Sequence, residues 1–182
     1  MASPDAPAVI EVRAERIAQL FDALDPSPHP RKDLAPATED FIVGWARELP
    51  RNQPVGIIVH LPADEAASAA ARQLGDEFSN YFRYRADRLA LDLRELFRIG
   101  RWSLLIGLSV LAGCMVIGQF LAGWFDEGYL HRFFNEGLII LGWVANWRPM
   151  EIFLYEWWPL VRRQKLYRRL SAATVEIKPW SA

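Results

Sequence analysis

The chain has one cysteine in 182 residues, Cys114, which excludes an internal disulfide and any cysteine-built metal site. It has no excess of either charge. Its 21 lysines and arginines stand against 22 aspartates and glutamates, so there is no global footprint for nucleic acid. The three histidines, His29, His60 and His131, are scattered along the sequence and do not suggest a shared metal. No glycine-rich phosphate loop, nucleophile with its base or paired-carboxylate motif is present, so neither a cofactor nor a small-molecule substrate is indicated. Residues 1–8, MASPDAPA, lack the basic start and apolar core of a secretory leader, and none is expected.

What the chain does have is a stretch with no charge at all. From Trp102 to Trp124, WSLLIGLSVLAGCMVIGQFLAGW, 23 residues carry no ionisable acid or base. A bilayer core about 30 Å thick needs roughly 20 apolar helical residues to cross it. Tryptophans at both ends suit the interfacial belts. The run therefore predicts a membrane span. Its small residues, Ser103, Gly107, Cys114, Gly118 and Ala122, recur at near-helical spacing and predict a seam for close packing against a second helix.

The preceding hundred residues read as water-soluble. AVIEVR (8–13) alternates like a half-buried strand. Ile17, Leu20, Phe21 and Leu24 predict a short helix that Asp25-Pro26 ends. Four prolines between Asp25 and Ala37 argue against a regular element there. Thr38 is placed to cap a second helix over 39–49, with Glu39 and Asp40 in its first turn. VGIIVHL (55–61) is nearly all apolar and β-branched, as a central strand covered on both faces would be. Asp64 is placed to cap a third helix, whose apolar face persists to about residue 101 and could reach ~57 Å. Two strands alone are unstable in water. TVEIK (174–178), which alternates like AVIEVR, is the expected third.

Flanking charge orients the span. Arg94, Arg98 and Arg101 precede it. Arg162, Arg163, Lys165, Arg168 and Arg169 cluster near the C-terminus, while the loop between carries Asp126, Glu127 and Glu136 against Arg132. Lysine and arginine excess marks the cytoplasmic side, so both termini are expected there and the chain must cross twice. The second crossing is short, since Arg148 and Pro149 interrupt the apolar residues that end at Trp147. Either one helix kinks at Pro149, or the span ends near Arg148 and the rest lies along the interface. Met150, Phe153, Leu154, Trp157, Trp158 and Val161 share a helical face, which favours the interfacial alternative, with Trp157 and Trp158 as anchors and the basic cluster on lipid headgroups.

The expected fold is thus a membrane α-helical hairpin with a small α/β cytoplasmic domain of about three strands and three helices. Residues 1–98 form that domain and a long helix continuing into the first span. Residues 99–161 form the hairpin, and 162–182 a basic tail whose strand rejoins the sheet. The charged stretch 83–101 reads as a solvated helix face. Polar residues in the second segment, Asn146, Arg148 and Glu151, are candidates for an ion or small-solute pathway in an oligomer. His60, near the end of the central strand, and Asp64 are the candidates for catalysis, since ligands bind at carboxyl ends of parallel strands.

RIAQLFDALDPSP (16–28), EDFIVGWARELP (39–50) and WRPMEIFLYEWWP (147–159) resemble segments of a set of uncharacterised bacterial two-span inner-membrane proteins. The resemblance implies a bacterial inner membrane and brings no activity, cofactor or catalytic residue. With no catalytic constellation, the expected function is a scaffold or interaction module that associates with itself or with other membrane proteins in the bilayer.

Overall fold

A computed structural model describes residues 8–22, 33–50, 53–122 and 129–180, without the side chains of 121–122, 129–132 and 134–135. In order along the chain come β1 (Ala8–Arg13), a 3-10 turn (Ile17–Leu20), α1 (Pro36–Glu48), β2 (Val55–Pro62), α2 (Ala63–Ala66) and α3 (Ala69–Ala122). Then follow α4 (Tyr129–Ala145), α5 (Trp147–Glu151), a π-helical segment (Ile152–Glu156), α6 (Trp157–Ser171) and β3 (Thr174–Trp180). They form two compact units, one of residues 1–89 with 162–182 and one of 90–161.

The first unit is built on a three-stranded, wholly parallel sheet in the order β1-β2-β3. VGIIVHL is the middle strand and the C-terminal TVEIK its partner, as the alternating patterns predict. Side chains of one parity enter a single core: Ile10 and Val12 from β1, Val55, Ile57, Val59 and Leu61 from β2, with Val175 and Ile177 packed against them. Helices supply the rest of that core, including Ile42 and Ala46 of α1, Leu74, Phe78 and Phe82 of α3, and Tyr167 and Leu170 of α6. The opposite face has no helical layer in this core. Ile58, only 7% exposed, lies outside the core cluster, between Glu11 and Glu176 in the register. β2 is thus buried on both faces, as its apolar run predicts, but the helices of the core lie on only one of them.

Local boundaries differ from the pattern for identifiable reasons. The helix expected from Ile17 is one 3-10 turn, because Phe21 leaves it to form a bridge with Leu34; Leu24 lies outside the described residues. Helix α1 starts at Pro36, not after Thr38. Proline needs no N–H partner in the first helical turn, and its fixed φ suits that position. Asp64 sits inside the single turn α2 and caps nothing. The long helix begins at Ala69, where the Ser68 hydroxyl accepts from the Ala71 N–H at 3.1 Å.

α3 is one 54-residue helix. Its first third supplies core side chains to the first unit. Its later part is the one described helix long and apolar enough to cross a membrane, and only 17% of its most apolar window is buried. A core helix of a soluble protein would be mostly buried. The second apolar segment is shorter, Glu136–Ala145, and the helical path breaks at Asn146. Pro149 has no N–H to give the Ala145 carbonyl, which accounts for the break.

Candidate functional site

Three arrangements in the described residues carry polar chemistry: the open sheet face, a buried carboxylate, and an amide in the helical hairpin.

On the open face the register stacks residues into rows. Val9, Gly56 and Thr174 form the first, Glu11, Ile58 and Glu176 the second, and Arg13, His60 and Lys178 the third, with Pro62 beside Trp180 at the end. Charge is thus sorted, an acidic row beside a basic one. His60 Nε2 lies 3.2 Å from Glu11 Oε2. The Arg13 guanidinium lies 3.9 Å above the Trp180 ring, so this side chain reaches across the central strand. His60 has no hydrogen bond or ion pair with Asp64 among the described residues, and Asp64 is exposed on α2. The neighbouring Glu65 accepts from the Ile17 N–H at 3.3 Å. The two catalytic candidates are not brought together, and no group of three or more histidine, cysteine, aspartate or glutamate side chains among the described residues could hold a metal.

The buried carboxylate is Glu39, the one charged side chain buried among the described residues. Tyr81 donates to its Oε2 at 2.7 Å, Arg85 reaches both oxygens through Nη2 at 2.8 and 3.1 Å, and Tyr167 donates to Oε1 through a short hydrogen bond. Burial pushes the Glu39 carboxyl up, but the donors from Tyr167, Tyr81 and Arg85 outweigh it and hold the group below its ordinary value. Burial and then donation to Glu39 push the Tyr81 hydroxyl up. Burial opposes the charge on Arg85, but bonding to Glu39 raises its value further. The carboxylate is ionised and engaged by three donors, so it clamps α1, α3 and α6 together. Sequence reading placed Glu39 only as a first-turn acid. The sole signal of its partners is that Tyr81 and Arg85 lie four apart on α3.

In the second unit Asn146 holds the hairpin. Its backbone N–H bonds the Trp143 carbonyl instead of that of Gly142, and its side-chain amide donates to Gly142 O at 2.9 Å and Gly107 O at 3.1 Å. One side chain thus repairs the broken ladder and ties it to α3. In the proposed seam Gly107 and Cys114 are buried and Ser103 and Gly118 partly so, while the Ala122 side chain lies outside the described ones. Arg148 bonds Glu151 at 3.0 Å and also pairs with Glu156. Asn146, Arg148 and Glu151 therefore spend their polar groups inside the chain.

The basic cluster also differs from a free tail. Arg162, Lys165 and Arg168 are exposed on α6, but Arg169 donates to the carbonyls of Pro50 and Gln53, and Arg163 reaches the Tyr167 hydroxyl at 3.4 Å. Trp157 is partly buried, its indole N–H bonding Phe153 O at 2.9 Å, whereas Trp158 is exposed. A π segment spans Ile152–Glu156; Pro149 and Ile152 are buried, while on the apolar face counted from Met150 the residues Met150, Leu154 and Trp158 are exposed and Phe153, Trp157 and Val161 partly buried.

Comparison with protein-family models, curated proteins and solved structures finds no match.

Proposed function

We propose that this chain is a non-catalytic scaffold or interaction module of the bacterial inner membrane, crossing the bilayer twice with both termini cytoplasmic, and that it self-associates through the open face of its sheet. The observation that carries the reading is that face. Wholly parallel sheets are ordinarily covered on both sides, and here the helices cover one. The uncovered side has the charge order for a second copy. A two-fold axis in the interface, perpendicular to the strands and between the second and third rows, sets β1 over β1 and β3 over β3. Glu176 then opposes the second copy's Lys178, a pair repeated by symmetry, while Glu11 is held by His60 and the Arg13 guanidinium lies over Trp180 within its own copy. An isologous contact requires this self-complementarity, and matched charge fixes register more than it adds affinity.

Support for two crossings comes from the sheet. β2 and β3 are parallel neighbours, so the chain leaving β2 must return to that strand's starting end. If 102–120 crosses a bilayer, the return lies between 123 and 161, and the Glu136–Ala145 segment with the engaged Asn146 is the apolar part available for it. Reporters fused after Asp126 and at Ala182 are expected on opposite sides of the membrane; the same side would contradict the hairpin.

Self-association has its own readout. A fluorescent fusion at Ala182, diluted into vesicles, should bleach in two steps per spot. Single-step bleaching throughout would overturn it.

A further inference from the structure

The structure points to a site for the phosphate headgroup of an anionic phospholipid in a cleft of about 430 Å³ lined by Arg94, Phe97, Arg101 and Phe153. We infer it from the position, charge and walls of that cleft, all within the second unit. Arg94 and Arg101 lie seven residues apart, two helical turns, so they share one face of α3 about 10 Å apart along its axis. Neither guanidinium has a hydrogen bond or ion pair among the described residues, whereas Arg98 between them is bonded to Glu95 at 2.7 Å. Two unspent forks that each match a phosphate's oxygens bidentately thus flank one opening.

The walls suit the rest of a lipid. Phe97 and Phe153 stack with centroids 6.1 Å apart and planes 29° apart. Gly100 makes this possible: a Cβ there would lie 2.9 Å from Ile152 Cγ2 and 3.2 Å from the Phe153 ring. Arg101 immediately precedes the uncharged run that starts at Trp102, and Trp102 and Leu105 beyond it are exposed. A headgroup held by the arginines would have its acyl chains beside apolar helix surface. Basic pockets between membrane helices on the cytoplasmic side bind headgroups in this way. A soluble anion would use the guanidiniums but gain nothing from the phenyl rings.

The inference rests on 102–120 being in the bilayer, which alkaline carbonate extraction of membranes tests by itself; release of the protein would defeat that reading. With the full chain in dodecyl maltoside, native mass spectrometry should show one phosphatidylglycerol retained at least tenfold more than phosphatidylcholine. Inorganic phosphate at the same concentration should not displace it. R94Q/R101Q should lose that preference, while R94K/R101K, which keeps the charge without the forks, should retain part of it and show that the fold survives. Equal retention of the two lipids, or an unchanged preference in R94Q/R101Q, would overturn the site. Displacement by phosphate would make it an anion site without a lipid component, which also overturns it.

Discussion

Glu39→Ala should lower the unfolding free energy by about 2–5 kcal/mol, as much as truncating a large core side chain. The substitution leaves the Tyr81 and Tyr167 hydroxyls buried without their acceptor, and each stranded donor costs about 1–3 kcal/mol. Arg85, whose side chain is 39% exposed, can turn to water, which limits its own penalty. For a chain of this size the loss corresponds to a melting temperature lower by roughly 5–15 °C, read by near-ultraviolet circular dichroism in detergent. Glu39→Gln keeps one acceptor oxygen and should lose less. It should also change the acid limb of stability. The carboxyl's folded value lies below its unfolded one, ~4.3. Its contribution is therefore full above the unfolded value and fades as pH falls through the folded value. The glutamine variant should lack that part of the acid sensitivity. A wild-type melting temperature in Glu39→Ala would show that Glu39 does not clamp the three helices.

Gly107→Ala should destabilise the second unit by about 2–4 kcal/mol. A Cβ at 107 would lie 2.8 Å from the Ala145 carbonyl and 2.7 Å from Asn146 Oδ1. The first neighbour is backbone and cannot swing aside, so the helices must part. Overpacking of this kind costs about 1–3 kcal/mol. Parting them also loses the Asn146 bond to Gly107 O, worth ~0.6 to ~1.7 kcal/mol between membrane helices. Gly113→Ala is the built-in control, since nothing lies within 4 Å of its Cβ position. Unfolding in mixed micelles by sodium dodecyl sulfate should separate the two variants. Equal midpoints would contradict the close approach at Gly107. Gly142 is more tolerant, because the nearest atom to its Cβ position, 2.6 Å away, is the flexible Leu111 Cδ1.

The strands were readable because alternation survives without knowledge of their partners. AVIEVR and TVEIK each bury one parity, and a continuous apolar run had to lie between them. What hid was how the second face of β2 is covered. Ile58 in VGIIVHL looks the same in sequence under a helix or between two glutamates on neighbouring strands. Glu39 was unreadable as a clamp because Tyr167 lies 128 positions away. The π segment also left no pattern. It spans Ile152–Glu156, where the periodicity of the letters stays helical. The uncharged run at 102–124 was legible by length alone, and the close approach at Gly107 followed from small residues that the letters do show.

In the proposed dimer the sorted charges of the sheet face meet their opposites in a second copy. Reversing one position, Glu176→Lys or Lys178→Glu, places like charges face to face, at a cost of several kcal/mol. Reversing both restores opposite charge on every pair without restoring the original sequence. Bleaching-step counts of the Ala182 fusion in dilute vesicles measure the outcome directly. Two steps are expected for the wild type, one for each single reversal and two again for Glu176→Lys/Lys178→Glu. Two steps in all four proteins would place any self-association elsewhere and rule out the sheet face as its surface.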